Sequence, residues 1–232
     1  VTSSDSRTAA PQHNIWAIYD AVALAVPERP AFRIEGRSLS HRHVRDRSIR
    51  LANFFASQGL GLRRARRDLE PWQTGQDLIG TYLLNGAEYL EVSLAGYAAR
   101  AAPFNVNYRY VDDELAYLLD DARAGALVFH ARFADRVAAV CSRLSRQPLL
   151  VQVADDSGIP LIEGALDYET VIAPMPATLE VTGHDPDDLY VVYTGGTTGM
   201  PKGTLWRQAD IWTAALGGDQ FAAPTLGERR RA

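Results

Sequence analysis

Apolar positions recur at helical spacing through residues 14–26, NIWAIYDAVALAV, where Ile15, Ile18, Val22 and Val26 line up on one face. Pro27 and Pro30 predict the end of that helix. Ala31–Ile34, Gly36 and Ser38–Leu39 predict a short hairpin. Arg42–Ser57 sets Val44, Ile49, Leu51, Phe54 and Phe55 among basic residues, the pattern of a surface helix with its apolar stripe turned inward. Residues 59–77 are a polar connection. In it Arg63, Arg64, Arg66 and Arg67 cluster beside Asp68 and Glu70. This reads as a solvated loop with local ion pairs, with an anionic partner as the alternative.

From residue 78 the alternation becomes regular. Strands are predicted at Leu78–Leu84, Ala101–Val106, Ala126–Phe129 and Leu149–Val153. Helices fall between them at Glu88–Ala99, Asp112–Ala122 and Ala131–Leu144. Leu90, Leu94 and Tyr97 are the inward candidates on the first of these; Leu115, Leu118 and Leu119 share a face on the second, whose acidic start suits the helix dipole. Residues 154–188 are irregular apart from a short helix near Tyr168–Ile172, and Leu189–Thr194, LYVVYT, predicts a further buried strand. Strands alternating with helices of 10 to 15 residues indicate an α/β fold, a mostly parallel sheet covered by helices and spanning residues 78–194.

Composition narrows the classes. The 232 residues are 47% hydrophobic and 22% charged, with a net charge of −4. This balance excludes a disordered chain, and the charge argues against a nucleic-acid partner. No stretch approaches the roughly 18 to 20 apolar residues of an integral membrane segment. A lone cysteine, Cys141, excludes an intrachain disulfide and reads as a small buried hydrophobe. Residues 1–13 are polar and aperiodic, a disordered tail without the features of a signal peptide, so the expected location is cytoplasmic. The five histidines, His13, His41, His43, His130 and His184, show no metal spacing, and no metal site is expected. Tyr108, Arg109 and Tyr110 are expected to pack structurally.

The chemistry concentrates in Thr194-Gly195-Gly196-Thr197-Thr198-Gly199-Met200-Pro201-Lys202-Gly203. Four glycines, three threonines and the only lysine of the chain fall within ten residues. Glycines let backbone N–H groups approach a ligand closely, and successive N–H groups in a turn make a positive concavity. Threonine hydroxyls add donors and Lys202 a full charge, so the segment is an anion cradle. A charge-assisted hydrogen bond is worth about 1.5–3 kcal/mol, enough for a few of them to hold a triphosphate against water. The G-x-x-x-x-G-K-[ST] loop is excluded because Pro201 precedes the lysine, and no G-x-G-x-x-G occurs there.

Tyr193–Gly203, YTGGTTGMPKG, resembles the AMP-binding signature of adenylate-forming enzymes: acyl-CoA synthetases, luciferases and peptide-synthetase adenylation domains. That signature commonly reads Y-T-S-G-T-T-G-x-P-K-G, so Gly195 stands where serine is usual. Upstream, NGAEYLEVSLAGYAARA at 85–101 and PFNVNYRYVDDELAYLL at 103–119 look like the stretch that precedes the signature in that family. The resemblance covers residues 15–220 or so. With Leu205-Trp206-Arg207 following the signature, it is most similar to actinobacterial fatty-acid or sterol-side-chain CoA ligases.

The resemblance implies a two-step acid–thiol ligase. A carboxylic acid (a fatty acid or sterol side chain) attacks ATP to form an acyl-adenylate, and coenzyme A then displaces AMP. Thr194, Gly195, Gly196, Thr197, Thr198, Gly199 and Lys202 would hold the ATP phosphates, with Mg²⁺ bridging phosphate oxygens. In this family the adenine contacts, the Mg²⁺-binding glutamate, the hinge and the C-terminal domain follow the signature. Residues 14–232 are therefore expected to be the N-terminal portion of the AMP-binding domain, with the phosphate loop at 193–203, no complete catalytic set and no C-terminal domain. Two alternatives to a ligase portion are a non-catalytic phosphate binder and a non-functional remnant.

Overall fold

The computed structural model describes residues 13–34, 36–196 and 199–217. Helix α1 (Ile15–Ala25) starts at Asn14, whose side chain accepts from the backbone N–H groups of Trp16 and Ala17 and so satisfies two orphan donors of its first turn. Strands β1 (Pro30–Ile34) and β2 (Arg37–Ser40) form the expected antiparallel hairpin. Ser40 caps α2 (His41–Ser57), which buries Val44, Ile49, Leu51, Phe54 and Phe55 as its apolar stripe predicts.

The central elements follow in alternation: β3 (Leu78–Tyr82), α3 (Ala87–Ala98), β4 (Ala102–Asn105), α4 (Asp112–Asp121), β5 (Ala126–His130), α5 (Ala134–Cys141), β6 (Leu149–Val153), β7 (Ala165–Asp167) and α6 (Tyr168–Ile172). The sheet is parallel throughout, with order β4-β3-β5-β6-β7. β3, β5 and all but the first residue of β6 are buried, as strands covered on both faces must be. Pro103 sits in edge strand β4, where a missing N–H costs no ladder bond.

Two cores flank the sheet. On one face Ile79, Val128 and Val151 meet α1, α2, α3 and α6. On the other, Leu127, Phe129, Phe104 and Tyr82 meet α4 and α5. Cys141 is buried in the second core, and burial pushes its thiol up to about 11, which keeps it inert. A buried ion cluster ties three helices of the first face together. Arg47 on α2 donates from Nε to both oxygens of Glu91 on α3, at 2.9 Å each, and from its terminal nitrogens to Glu169 on α6. Tyr168 donates its hydroxyl to Glu91 at 2.7 Å.

The last elements are β8 (Leu189–Gly196), β9 (Gly199–Arg207) and α7 (Gln208–Ala214). They correct the sequence reading twice. β8 is not a further strand of the parallel sheet; it pairs antiparallel with β9 in a separate two-stranded hairpin. A parallel return would need a crossover of a dozen or more residues, and the short segment after Thr194 allows only an antiparallel one. The expected loop at 193–203 is for the same reason largely strand, because ladder bonds need only the backbone and tolerate its glycines and threonines. Tyr110 is buried as expected, whereas Tyr108 is exposed and carries the Arg109 guanidinium 5.5 Å from its ring centre. The tail expected at 1–13, save His13, lies outside the described residues. No described helix is long and apolar enough to cross a membrane.

Candidate functional site

The hairpin that carries the glycine- and threonine-rich segment is anchored at its root by buried polar side chains from four distant parts of the chain. Asp188 is paired with Arg100 at 2.8 Å and accepts from the Asn14 amide. Gln76 accepts from Leu189 N–H at 2.6 Å and donates to the Arg100 carbonyl at 2.7 Å. Gln208 accepts from Ile15 N–H at 2.8 Å and donates to the Leu189 carbonyl. Each buried polar atom named here has a partner, so the cluster rigidifies the root instead of weakening it.

Farther along, β8 lies beside the free edge of β4 without forming a ladder with it. The Asn105 amide takes the place of that ladder. It accepts from Tyr193 N–H and donates to the Tyr193 carbonyl, both at 3.2 Å. Leu189, Val191 and Tyr193 alternate into the second core, while Tyr190 stacks on Tyr97 at 6.2 Å between ring centres. The Tyr193 hydroxyl donates to Asp121 at the end of α4, at 2.8 Å. Burial, reinforced by that bond to a carboxylate, raises the Tyr193 hydroxyl well above its ordinary pKa. Gly203 lies directly over this ring: a Cβ there would fall 2.8 Å from Tyr193 Cζ. The glycine of the signature is therefore needed for close packing on the tyrosine of the signature.

Beyond Tyr193 the hairpin emerges into solvent. Thr194 and Lys202 face each other in register, both exposed. Gly195 is exposed too, with nothing within 4 Å of where a side chain would begin. Gly196 pairs with Gly199, with a register shift between Thr194 and Gly196. Thr197 and Thr198 lie outside the described residues. Of the residues assigned from sequence, the fold thus brings Thr194, Gly195, Gly196, Gly199 and Lys202 to one solvent-facing end of one hairpin.

Sequence reasoning missed the residues that hold this hairpin in place. Asn105 and Asp121 lie 88 and 72 positions from Tyr193. Asn105 stands in the stretch singled out upstream, PFNVN, but nothing in its spacing announces the contact. Two of the histidines make structural contacts: His130 Nδ1 accepts from Leu84 N–H at 3.0 Å, and His184 contacts the Ala98 carbonyl at 2.8 Å. Burial lowers the His130 pKa. No group of three His, Cys, Asp or Glu residues is placed to hold a metal ion among the described residues. The described residues of the hairpin end carry a hydroxyl, backbone N–H groups and the Lys202 ammonium.

The "Medium-chain acyl-CoA ligase Mig" of Mycobacterium avium is 50% identical over 215 residues, which is 93% of this chain and 38% of that protein. A 3-oxocholest-4-en-26-oate–CoA ligase of Rhodococcus rhodochrous is 35% identical over 84% of this chain and 33% of its own length. The chain thus spans between a third and two fifths of these relatives. Among solved structures, the anthranilate CoA ligase AuaEII, in complex with anthranoyl-AMP, superposes with a TM-score of 0.76 at 22% identity, over 89% of this chain and 37% of that one. A long-chain-fatty-acid CoA ligase of Archaeoglobus fulgidus gives 0.68 at 21%, over 89% and 39%. The profile of the AMP-binding enzymes matches residues 19–229, and the chain belongs to that family.

Proposed function

We propose that this chain supplies the phosphate-gripping part of an ATP-dependent acid–thiol ligase. The activity is adenylation of a hydrophobic carboxylic acid followed by transfer to coenzyme A. A medium-chain fatty acid is the substrate class favoured by the 50% identity to the Mycobacterium avium ligase; a sterol side-chain acid is the alternative favoured by the more distant relative. The observation that carries the reading is the exposed, in-register pair Thr194 and Lys202 at the free end of a hairpin whose root is locked.

Thr194, Thr197, Thr198 and the amides of Gly195, Gly196 and Gly199 hold the β- and γ-phosphates. Lys202 supplies the counter-charge that matters most as pyrophosphate leaves. Catalysis of this kind is positioning and charge stabilisation, and a rigid root is what lets flexible-looking glycines act as fixed donors. Mg²⁺, arriving with ATP, would neutralise phosphate oxygens.

The test is Lys202→Ala. In a longer protein that contains this chain, pyrophosphate exchange should fall about 10- to 150-fold, the loss of one charge-assisted contact of about 1.5–3 kcal/mol. Lys202→Arg should keep part of the activity, since charge survives and reach changes. The melting temperature should hold, because Lys202 is exposed. Full exchange in the alanine variant, or a large loss of stability, would remove Lys202 from the phosphate site.

A further inference from the structure

The hairpin that carries Thr194 and Lys202 is only two strands wide, and its pairing turns irregular just beyond Tyr193, where the register shifts between Thr194 and Gly196. A lone two-stranded hairpin is marginal in water, so its own ladder does not fix the direction of its exposed end. The locked root does not fix it either, because Gln76 and Gln208 meet the hairpin at Leu189, the opposite end of β8. Tyr193 is where the direction is set. It is buried, and Thr194 and Gly195 directly after it are exposed. Its ring packs on Phe104, at 5.3 Å between ring centres, and against Gly203, while its hydroxyl is held by Asp121. Those contacts hold the ring but leave the backbone free to turn about the Cα–Cβ bond.

Asn105 removes that freedom. It is the last residue of β4, opposite Thr81 in register, and Val106 N–H just after it donates to the Thr81 carbonyl at 3.1 Å. The side chain therefore projects from a point already fixed in the parallel sheet. A carboxamide carries an acceptor and a donor side by side in one plane. It meets the N–H and the carbonyl of Tyr193 together, at 3.2 Å each, as a neighbouring strand would. Aspartate offers only acceptors there, and alanine offers neither. With both bonds made, the backbone at Tyr193 neither slides nor twists, and every group after it inherits that orientation.

We propose that Asn105 is a positioning residue for the phosphate chemistry of the hairpin end. It acts through Tyr193, whose backbone it clamps so that Thr194, the glycine amides and Lys202 keep one aim. The inference rests on the reading of that end as a phosphate grip. A misplacement of about 1 Å costs up to about 100-fold in rate. A misdirected donor still attracts a phosphate but misses the charge that develops in the transition state, so the loss falls on kcat more than on KM.

Pyrophosphate exchange in a longer protein that contains this chain, beside amide hydrogen exchange on the purified chain, tests it. Asn105→Ala should lower kcat about 10- to 100-fold and change KM for ATP by less than about threefold. Asn105→Asp keeps the shape and loses the donor; it should lower kcat too, and it serves where the alanine variant folds poorly. Asn105→Ala combined with Thr194→Ala should cost less than the product of the two single losses, since the clamp acts through the residues it aims. In the purified Asn105→Ala chain, amides of β9 should exchange hydrogen about tenfold faster, as for the loss of roughly one hydrogen bond, while those of β3 and β5 keep the parent rate. Unchanged kcat in both Asn105 variants, beside impaired Thr194→Ala and Lys202→Ala, would overturn the positioning role alone. A loss confined to KM, fully multiplicative losses in the double variant, or equal acceleration across β3 and β5 would overturn it as well. Unimpaired Thr194→Ala and Lys202→Ala would overturn the phosphate reading and this inference with it.

Discussion

Replacing Arg47 with methionine isolates the buried ion cluster between α2, α3 and α6. Glu91 is almost fully buried, and Arg47 holds both of its oxygens at 2.9 Å; Tyr168 supplies one more hydrogen bond. Without the guanidinium, the carboxylate keeps only the Tyr168 hydroxyl. Breaking a buried pair by removing one partner costs about 3–5 kcal/mol, mostly the stranded charge. At about 2–4 °C per kcal/mol for a chain of this size, the melting temperature should drop by about 6–20 °C. The cost should also depend on pH. Burial already raises the Glu91 pKa, and Arg47 is among the groups that pull it back down, so its loss raises the pKa further. A carboxyl whose folded pKa exceeds its unfolded value binds its proton more tightly when folded. The stabilisation from protonation is complete below the unfolded value and is lost as pH rises through the folded one. The Arg47→Met deficit should therefore be largest near neutral pH and shrink toward about pH 5. The double variant Arg47→Met/Glu91→Gln should recover most of the loss, because no charge remains to be buried. Urea melts of the parent, single and double variants at both pH values provide the measurement. A deficit under about 1 kcal/mol, the scale of a surface pair, or one that is flat in pH, would show that the cluster is solvated and the argument wrong.

Gly203→Ala should destabilise the chain by about 1–3 kcal/mol, the cost of overpacking, because the new methyl meets the Tyr193 ring at 2.8 Å while Asp121 and the core hold that ring; an unchanged melt would show that the ring moves freely. Gly195→Ser should leave the melting temperature within about 1 °C, since nothing lies within 4 Å of the added Cβ, and should tighten ATP binding by restoring the usual hydroxyl; calorimetric titration of both proteins with ATP decides it. The purified chain should form no acyl-CoA from fatty acid, ATP and coenzyme A, because it spans only 38% of the length of the Mycobacterium avium ligase. AMP release that requires both the acid and the thiol would refute that.

Local pattern was enough for most elements, because each is determined by its own sequence. The 3.6-residue stripe of α2, the apolar spacing of α1 and the apolar runs of β3, β5 and β6 are visible residue by residue, and the alternation of strands and helices already implies parallel pairing. The short β7 was not visible, since three residues carry no period and only the edge of β6 makes Ala165–Asp167 a strand. The proposed phosphate-binding role of residues 194–202 was equally local, since the density of glycine, threonine and lysine is read directly from the sequence. What those residues form was not local. Glycines and threonines look like loop because they are poor at packing a pleated surface, yet a hairpin beside an existing sheet edge needs little packing from its exposed end. Whether β8 joins the sheet or stands beside it depends on Asn105 occupying the edge of β4, and on Arg100, Gln76 and Gln208 meeting at its root. Those partners are separated along the chain by tens of residues, and hydrogen bonds of that span leave no periodic trace. The amino-acid sequence by itself determined most of the elements, the parallel sheet and the residue types of the hairpin end; only the tertiary structure decided that this end is a hairpin, where it points and how rigidly its root is held, because buried polar contacts become specific only when the chain has folded.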